Sequence, residues 1–361
     1  MNIHEKYISR CIELGKLGIG DTYPNPSVGS CLVVDDKIIG EGYTSKAGGN
    51  HAEVNAINSV EDKSLLKLST IYVTLEPCCH HGKTPPCVDK IIACGIKKVV
   101  IGIKDPNPLV CGKGIERLKE NGVEVISGVL KKECIEHHKR FLSYIINKRP
   151  YIILMWAETA DGFIAPKEKN INEHYWISNT KSRHLVHKWR SEEQAILVGA
   201  KTIREDDPRL TTRDWEGKNC NIYILSKNGF KKDFKIFNQE SKVTTLNNEK
   251  IDFEKDIVKQ MCDKFYDDKI VSIIVEGGTK TLSNFIDSET WDEMRVFKTK
   301  EKLGDGIKGP NIKFKESKKL KSEITNLFIT KTKESLFPAY NLDISRVSLF
   351  PYLRKLKLYW L

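Results

Sequence analysis

Three short pieces of the 361-residue sequence carry the side chains that could do chemistry. They are His51-Ala52-Glu53, the run Glu76-Pro77-Cys78-Cys79-His80-His81-Gly82-Lys83-Thr84-Pro85-Pro86-Cys87, and Asp105-Pro106-Asn107-Pro108. A catalytic zinc takes three protein ligands and keeps a fourth position open, and His51, Cys78 and Cys87 supply that count. Cys79 is the rival ligand. Adjacent residues point apart, so one of the two cysteines faces the metal, and Cys78, which follows Pro77, is the one expected. Pro85-Pro86 stiffens the approach to Cys87, where a helix start costs proline no hydrogen bond and favours thiolate. Zinc lowers the pKa of its water towards ~7. Glu53 can then take a proton from that water, pass it to a ring nitrogen and protonate departing ammonia, a role typically worth ~10²–10⁴ in rate.

H-x-E together with P-C and a second cysteine is the part set of zinc deaminases. Here the two cysteines are nine positions apart instead of three. The spacing alone says little, whereas the three pieces together, each at a strand–helix junction, form a specific signal. A closed zinc knuckle with His80 or His81 as fourth ligand, serving as a non-catalytic partner-binding module, leaves His51-Ala52-Glu53 unexplained.

The elements that must position these residues can be read from periodicity. Residues 3 to 17 repeat apolar side chains near 3.6, which predicts an amphipathic helix. VGSCLVV (28 to 34) and KIIGEG (37 to 42) read as strands joined by Asp35-Asp36, a hairpin-like pair. A helix over 51–59 follows. Strands are expected at 70–75, 97–103 and 123–127, with helices at 87–94 and 114–121 between them. Strand–helix alternation makes an α/β layered domain, in which strand ends and helix starts meet along one sheet edge. One helix is expected over 131–148, punctuated by Arg149-Pro150, which places a boundary there. A second α/β domain restarts with the buried strand YIILMWAE (151 to 158) and continues through AILVG (195 to 199), NIYILS (221 to 226) and IVSIIVEGG (270 to 278), then a helix through Phe285. The charged stretch 227–269 shows little periodicity.

Length and composition agree with two domains, since one domain usually takes ~100–200 residues. No stretch reaches the ~18 apolar residues of a membrane span, and MNIHEKYISR lacks a signal peptide's layout. Ten cysteines in a chain this long are too dilute for a disulfide scaffold, and their crowding beside histidines reads as metal chemistry in a reducing compartment, the cytoplasm. The formal charge of +11 comes mostly from lysines scattered among nearly as many acids. That pattern argues against a nucleic-acid partner, whose footprint clusters on one face, and suits a small anionic substrate. A nucleic-acid base deaminase with a basic binding domain is the alternative reading, and it requires salt-dependent binding.

Taken with Pro24-Asn25-Pro26-Ser27-Val28-Gly29, the three pieces closely resemble the deaminase half of the bifunctional riboflavin-biosynthesis deaminase/reductase family. The long Cys-to-Cys loop with H-x-G-K-T-P-P separates it from cytidine, guanine and tRNA-adenosine deaminases. The resemblance covers residues 1–146 and implies a cytidine-deaminase-like three-layer domain. Its implied substrate is the phosphorylated pyrimidine 2,5-diamino-6-(5-phosphoribosylamino)pyrimidin-4(3H)-one, which loses its C2 amino group as ammonia. By the same resemblance His51, Cys78 and Cys87 hold zinc, Glu53 shuttles protons, and Asn25, His80, Lys83 and Asn107 contact substrate. Asparagine beside proline is also common turn chemistry, so Asn107 by itself reads equally well either way.

The second half resembles the family's reductase, similar in fold to dihydrofolate reductase. The resemblance is carried by Ala160-Asp161-Gly162, Tyr175-Trp176-Ile177-Ser178, Arg190, residues 195–199, Thr202, residues 206–210 and Val275-Glu276-Gly277-Gly278. It implies an α/β domain over 150–335 in which NADPH reduces the ribose ring of the deaminated product to a ribityl chain. Ala157, Trp176, Thr202, Asp206, Gly277, Gly278 and Thr279 are then cofactor contacts, the last three at a helix N-terminus suited to a pyrophosphate. Arg190, Leu210, Arg213 and Glu276 are substrate contacts, the arginines as phosphate forks. Two features depart from the family's pattern: Met155 stands where lysine is usual, and Thr159-Ala160-Asp161-Gly162 replaces Ser-Leu-Asp-Gly. The family suggests a homo-oligomer, and residues 336–361 form a tail that resembles nothing in it.

Overall fold

The computed structural model describes residues 2–82, 85–167, 177, 179–231, 233–312, 318–321 and 325–331. Helix α1 (Ile3–Lys16) starts in a capping box, in which Asn2 accepts from the Glu5 amide while the Glu5 carboxylate accepts from the Asn2 amide. Its apolar stripe buries Tyr7, Ile8 and Cys11. Strands β1 (Gly29–Val34) and β2 (Lys37–Tyr43) are joined by Asp35 and Asp36, both at positive φ (46° and 59°), as a two-residue hairpin turn requires. Then come α2 (Ala52–Ser59), β3 (Thr70–Leu75), α3 (Cys87–Ala93), β4 (Lys98–Ile103), α4 (Lys113–Glu120) and β5 (Glu124–Ser127).

These strands form one sheet in the order β2-β1-β3-β4-β5. The first pairings are antiparallel and the last two parallel. Helix α1 packs on one face, and α2 with α3 and α4 on the other, which makes three layers. Since β1 runs against β3, the start of β1 lies beside the end of β3. The Gly29 amide donates to Thr74 Oγ1 at 3.3 Å, Gly29 faces Tyr43 at the end of β2, and Leu75 faces Ile103 at the end of β4. One sheet edge therefore gathers residues 24–28, the start of α2, residues 76–87 and residues 105–108.

The single helix expected over 131–148 is two: α5 (Lys131–His137) and α6 (Lys139–Asn147), broken at His138 (φ −91°, ψ 9°). His138 is buried, with Nε2 2.9 Å from Thr74 Oγ1. After the break Lys139 reaches Glu293 at 2.7 Å and the Arg140 guanidinium grips the Glu193 carboxylate, with Nε–O at 2.7 Å. The bend thus serves a buried histidine on one side and the second half of the chain on the other.

Burial holds the His138 pKa well below its ordinary 6.5. The unfolded chain therefore binds a proton that the folded chain refuses. Stability contributed by this residue is complete above pH 6.5 and is lost as pH falls below it, by up to about 1.4 kcal/mol per pH unit. Urea unfolding at pH 7, 6 and 5 is expected to show this slope, and His138→Gln is expected to flatten it. An unchanged slope in the variant removes His138 as the cause.

The second half opens on β6 (Tyr151–Glu158), whose continuous apolar run is buried on both faces. Ile152, Leu154 and Trp156 enter one core, and Tyr151, Ile153 and Met155 the other. Met155, at the position where the resembling family has lysine, is 3% exposed and shares its core with Ile153 and Ile196. There follow β7 (Phe163–Ala165), α7 (Thr180–Glu192), β8 (Ala195–Gly199), α8 (Ala200–Asp206), β9 (Asn221–Leu225), β10 (Val243–Leu246), α9 (Ile257–Asp267), β11 (Ser272–Gly277), α10 (Thr279–Asp287) and β12 (Glu293–Thr299). Last come β13 (Ile307–Lys308), β14 (Lys318–Lys321) and β15 (Thr325–Lys331). The main sheet runs β10-β9-β8-β11-β6-β12-β15-β14, parallel from β10 to β12. The stretch 227–269 holds β10 and α9, whose buried Val258, Met261, Cys262 and Phe265 do follow a helical spacing. Among the described residues no helix is long and apolar enough to cross a membrane.

Candidate functional site

His51 is the N-cap of α2, in extended geometry, and its ring makes no capping hydrogen bond. The ring instead faces two thiols, with Nδ1 3.3 Å from Cys87 Sγ and 3.5 Å from Cys78 Sγ. Cys78 follows the end of β3, and Cys87 opens α3 behind Pro86. The Cys87 amide donates to Cys78 Sγ at 3.3 Å. The ligand atoms of these three residues all lie within 4.8 Å of one another. Cys79 Sγ instead lies 3.8 Å from the Leu109 carbonyl.

The electrostatics of this trio suit a divalent cation. The Cys78 thiol is held down to about 4, first by the hydrogen bond from Cys87 and then by the one from His51. Cys87 is pushed well above its usual value, first by the same Cys78 partner and then by burial. A second thiolate beside the first is thus costly until a positive charge sits between them. One imidazole and two sulfurs are also the donors zinc prefers, so the residues present fit the metal.

Glu53, in the first turn of α2, is 4% exposed. Burial raises its pKa to about 7, with the charge of Cys78 adding to the rise and His51 opposing it. A carboxyl poised near neutrality can both take and return a proton.

Glu76, not singled out for a role from the sequence, organises this edge. Its buried carboxylate accepts the backbone N–H groups of Asp105 (3.2 Å), Gly112 (3.1 Å) and Ile115 (3.1 Å). It thereby ties the 105–115 loop and the start of α4 to the residue two before Cys78. Its only sequence signal was its place in the run, next to Pro77. Asn107 sits in that loop with its Oδ1 accepting from the Leu109 amide at 3.1 Å, so its oxygen is used in a local turn. Asn25 closes a turn with Thr22, its amide donating to the Thr22 carbonyl at 3.0 Å and its carbonyl accepting from Thr22 Oγ1 at 3.1 Å. His80 Nδ1 is buried and has no hydrogen-bond partner among the described residues. Lys83 and Trp176 lie outside the described residues, as does the tail 336–361.

In the second half, a cavity of about 1160 Å³ opens at the C-terminal ends of the parallel strands β9, β8, β11 and β6. Ala157, Arg190, Thr202, Asp206, Leu210, Glu276, Gly277, Gly278 and Thr279 all line it. Two helix N-termini meet there, with Gly199 capping α8 and Gly278 capping α10. Gly277 sits at φ +124°, which a side chain rarely tolerates. Glycine-capped helix starts at the ends of adjacent parallel strands form a place for the phosphates of a dinucleotide, so the cavity fits NADPH.

Arg190 and Glu276 meet as a buried bidentate pair, at 2.8 and 2.6 Å. Arg213 is not on the cavity. The segment after α8 alternates, so that Asp206, Pro208 and Leu210 line the cavity while Arg209, Thr211 and Arg213 line a neighbouring groove of about 840 Å³ with Lys235. Desolvation, and then the like charges of Arg190, Arg183 and Arg209, lower the Arg213 pKa. Arg209 carried a sequence signal, the run from Asp206 to Leu210, but only the alternation shows which way it faces.

The chain matches the cytidine and deoxycytidylate deaminase zinc-binding region over residues 1–103 and the RibD C-terminal domain over residues 150–325. It is 38% identical to riboflavin biosynthesis protein RibD of Aquifex aeolicus (strain VF5), across 84% of this chain and 89% of that one. Its identity to the protein of the same name from Bacillus amyloliquefaciens is 34%, across 82% and 84%. The solved diaminohydroxyphosphoribosylaminopyrimidine deaminase/5-amino-6-(5-phosphoribosylamino)uracil reductase of Thermotoga maritima superposes with a TM-score of 0.81 at 37% identity, covering 91% of this chain and 98% of that one. Acinetobacter baumannii RibD superposes at 0.80 with 29% identity, covering 91% and 99%.

Proposed function

Because the chain belongs to the RibD family of bifunctional riboflavin-biosynthesis enzymes, we propose that residues 1–146 form its zinc deaminase and residues 150–335 its NADPH-dependent reductase. The protein is an enzyme of riboflavin biosynthesis with deaminase and reductase halves. It acts on a small phosphorylated pyrimidine.

The observation that carries the deaminase assignment is the trio of His51, Cys78 and Cys87 within 4.8 Å, with the buried Glu53 carboxyl in the first turn of the helix that His51 caps. Zinc held by the trio supplies the Lewis acidity that makes water nucleophilic at neutral pH. Glu53 would take the proton released as the nucleophile forms and give it to the ring nitrogen next to C2, then take the remaining hydroxyl proton on C2 and hand it to the amine, which leaves as ammonia while C2 becomes a carbonyl. Its burial keeps the carboxyl able to do both. Asn25, His80, Lys83 and Asn107 are proposed to hold the pyrimidinone and its phosphate. His80 offers an unpartnered buried Nδ1 for the purpose.

In the reductase half NADPH supplies the hydride. Gly277, Gly278 and Thr279 at the start of α10 hold its pyrophosphate, with Ala157, Thr202, Asp206 and Trp176 along its length. Arg190, Leu210 and Glu276 face the ribosyl group, and Arg213 reaches from the adjoining groove for the phosphate. Arg190 and Glu276 reach the substrate as a pair, each fixing the other's orientation. The proposal includes a cytoplasmic homo-oligomer and no nucleic-acid partner. Cations are interleaved and paired with acids, as in Lys227–Glu254, Lys235–Asp207 and Lys264–Asp268, which supports the reading without a nucleic-acid partner.

The test is a coupled assay with the diaminopyrimidinone ribotide, zinc and NADPH. Ammonia is expected to appear first, followed by loss of NADPH absorbance; chelation is expected to stop both, and pre-deaminated substrate to restore the NADPH loss alone. NADPH consumption without prior ammonia release would overturn the order.

A further inference from the structure

The loop that carries Asn25 is anchored across the boundary between the two halves. The Tyr23 hydroxyl donates to the Glu192 carbonyl at 2.8 Å and accepts from the Ser272 hydroxyl at 3.3 Å. The Asp21 carboxylate meets Lys218 at 2.6 Å. Gly20, at φ +92°, lies so close to the Ser191 carbonyl that any Cβ would collide with it. Two of these four contacts fall on Ser191 and Glu192, the end of α7 directly after Arg190 of the reductive cavity, and a third on Ser272 at the start of β11.

On its own side the loop is short and stiff. Asn25 is flanked by Pro24 and Pro26, whose rings fix φ. The Asn25 amide donates to the Thr22 carbonyl at 3.0 Å, and Thr22 Oγ1 donates to the Asn25 carbonyl at 3.1 Å. A turn with so little internal freedom is placed by its flanks, which are Ser27, bonded to Gly15 and His137 on the deaminase side, and Tyr23, bonded to the other half. From there the chain enters β1 at the edge that holds His51, Cys78 and Cys87.

We propose that the reductase half completes the deaminase substrate site, with Tyr23 as a positioning residue that sets Asn25 against the pyrimidinone. The inference rests on the reading of Asn25 as a substrate contact. It gives the fusion of the two halves a physical role: the C-terminal end of α7 serves both centres, through Arg190 on one side and through the Glu192 carbonyl on the other.

The test uses the full-length, zinc-loaded enzyme. Tyr23→Phe removes one hydroxyl and keeps the ring. It is expected to raise the deaminase KM about fivefold, on the order of a hydrogen bond's net contribution, with kcat unchanged. Reductase kcat/KM on pre-deaminated substrate should stay as in the parent, and the thermal midpoint should fall by only a few degrees, as the loss of a hydroxyl's bonds requires. An unchanged deaminase KM, or an equal fall of both activities with a lowered midpoint, overturns the proposal, the latter because it assigns Tyr23 to interface stability alone. Asn25→Ala separates the two layers of the argument. If it raises KM while Tyr23→Phe does not, the anchoring fails and the reading of Asn25 stands. If it leaves KM unchanged, the reading fails and takes the proposal with it.

Discussion

Glu53→Gln is expected to abolish ammonia release while NADPH oxidation on pre-deaminated substrate continues at the parent rate. Glutamine keeps the shape of the side chain, but it cannot accept a proton and hand it on. The loss should be on the order of 10³ or more in deaminase kcat, within the range for a general acid/base in place. Glu53 supplies none of the three clustered ligand atoms, so zinc content by metal analysis should remain one per chain. Retention of a tenth of the parent deaminase rate would remove Glu53 from the proton path. Equal loss of both activities would mean that the halves do not hold separate sites.

Arg190→Ala is expected to damage the reductase in two measurable ways. The Arg190–Glu276 pair is nearly shielded from water, with side chains 10% and 12% exposed. Removing one partner strands the other charge, at a cost of about 3–5 kcal/mol. Urea unfolding should show that loss, and reductase kcat/KM should fall by about 10² or more because the paired wall that Arg190 and Glu276 give the cavity is broken. Deaminase activity should persist in the folded fraction. The double variant Arg190→Met with Glu276→Met removes both charges and is expected to recover most of the stability but none of the reduction. If the double variant reduces substrate normally, the pair is a structural strut and the substrate role proposed for it is wrong.

Much of the deaminase half was legible from the residues because its signals are local. Asp35-Asp36 between two β-rich runs marks a hairpin, and both residues adopt the left-handed geometry that such a turn needs. His51-Ala52-Glu53 and Pro77-Cys78 sit where strands end and helices begin, and backbone topology brings those points together whatever the intervening sequence. Other features were not legible. The helix over 131–148 reads as continuous because nothing in KKECIEHHKR marks a break. The break arises because the ring of His138 is buried against Thr74, a contact across 64 positions. Helix α9 was obscured by charged neighbours, although its apolar spacing was intact. The work of Glu76 depends on three amide groups drawn from a loop and a helix start that follow it by about 30 to 40 positions.

The amino-acid order alone determined the donor types for a metal, the carboxyl beside them, the strand–helix alternation that lines them up, and the glycines at the second cavity. Each depends on a residue's own chemistry or on neighbours a few positions away. Only the tertiary structure decided that Arg190 and Glu276 grip each other, that Arg213 faces a groove outside the cavity, and that the Asn25 loop is seated on the other half of the chain. Those outcomes depend on contacts between segments up to about 250 positions apart. Such contacts form only where packing brings the segments together, and no local pattern encodes which side chain will be met there.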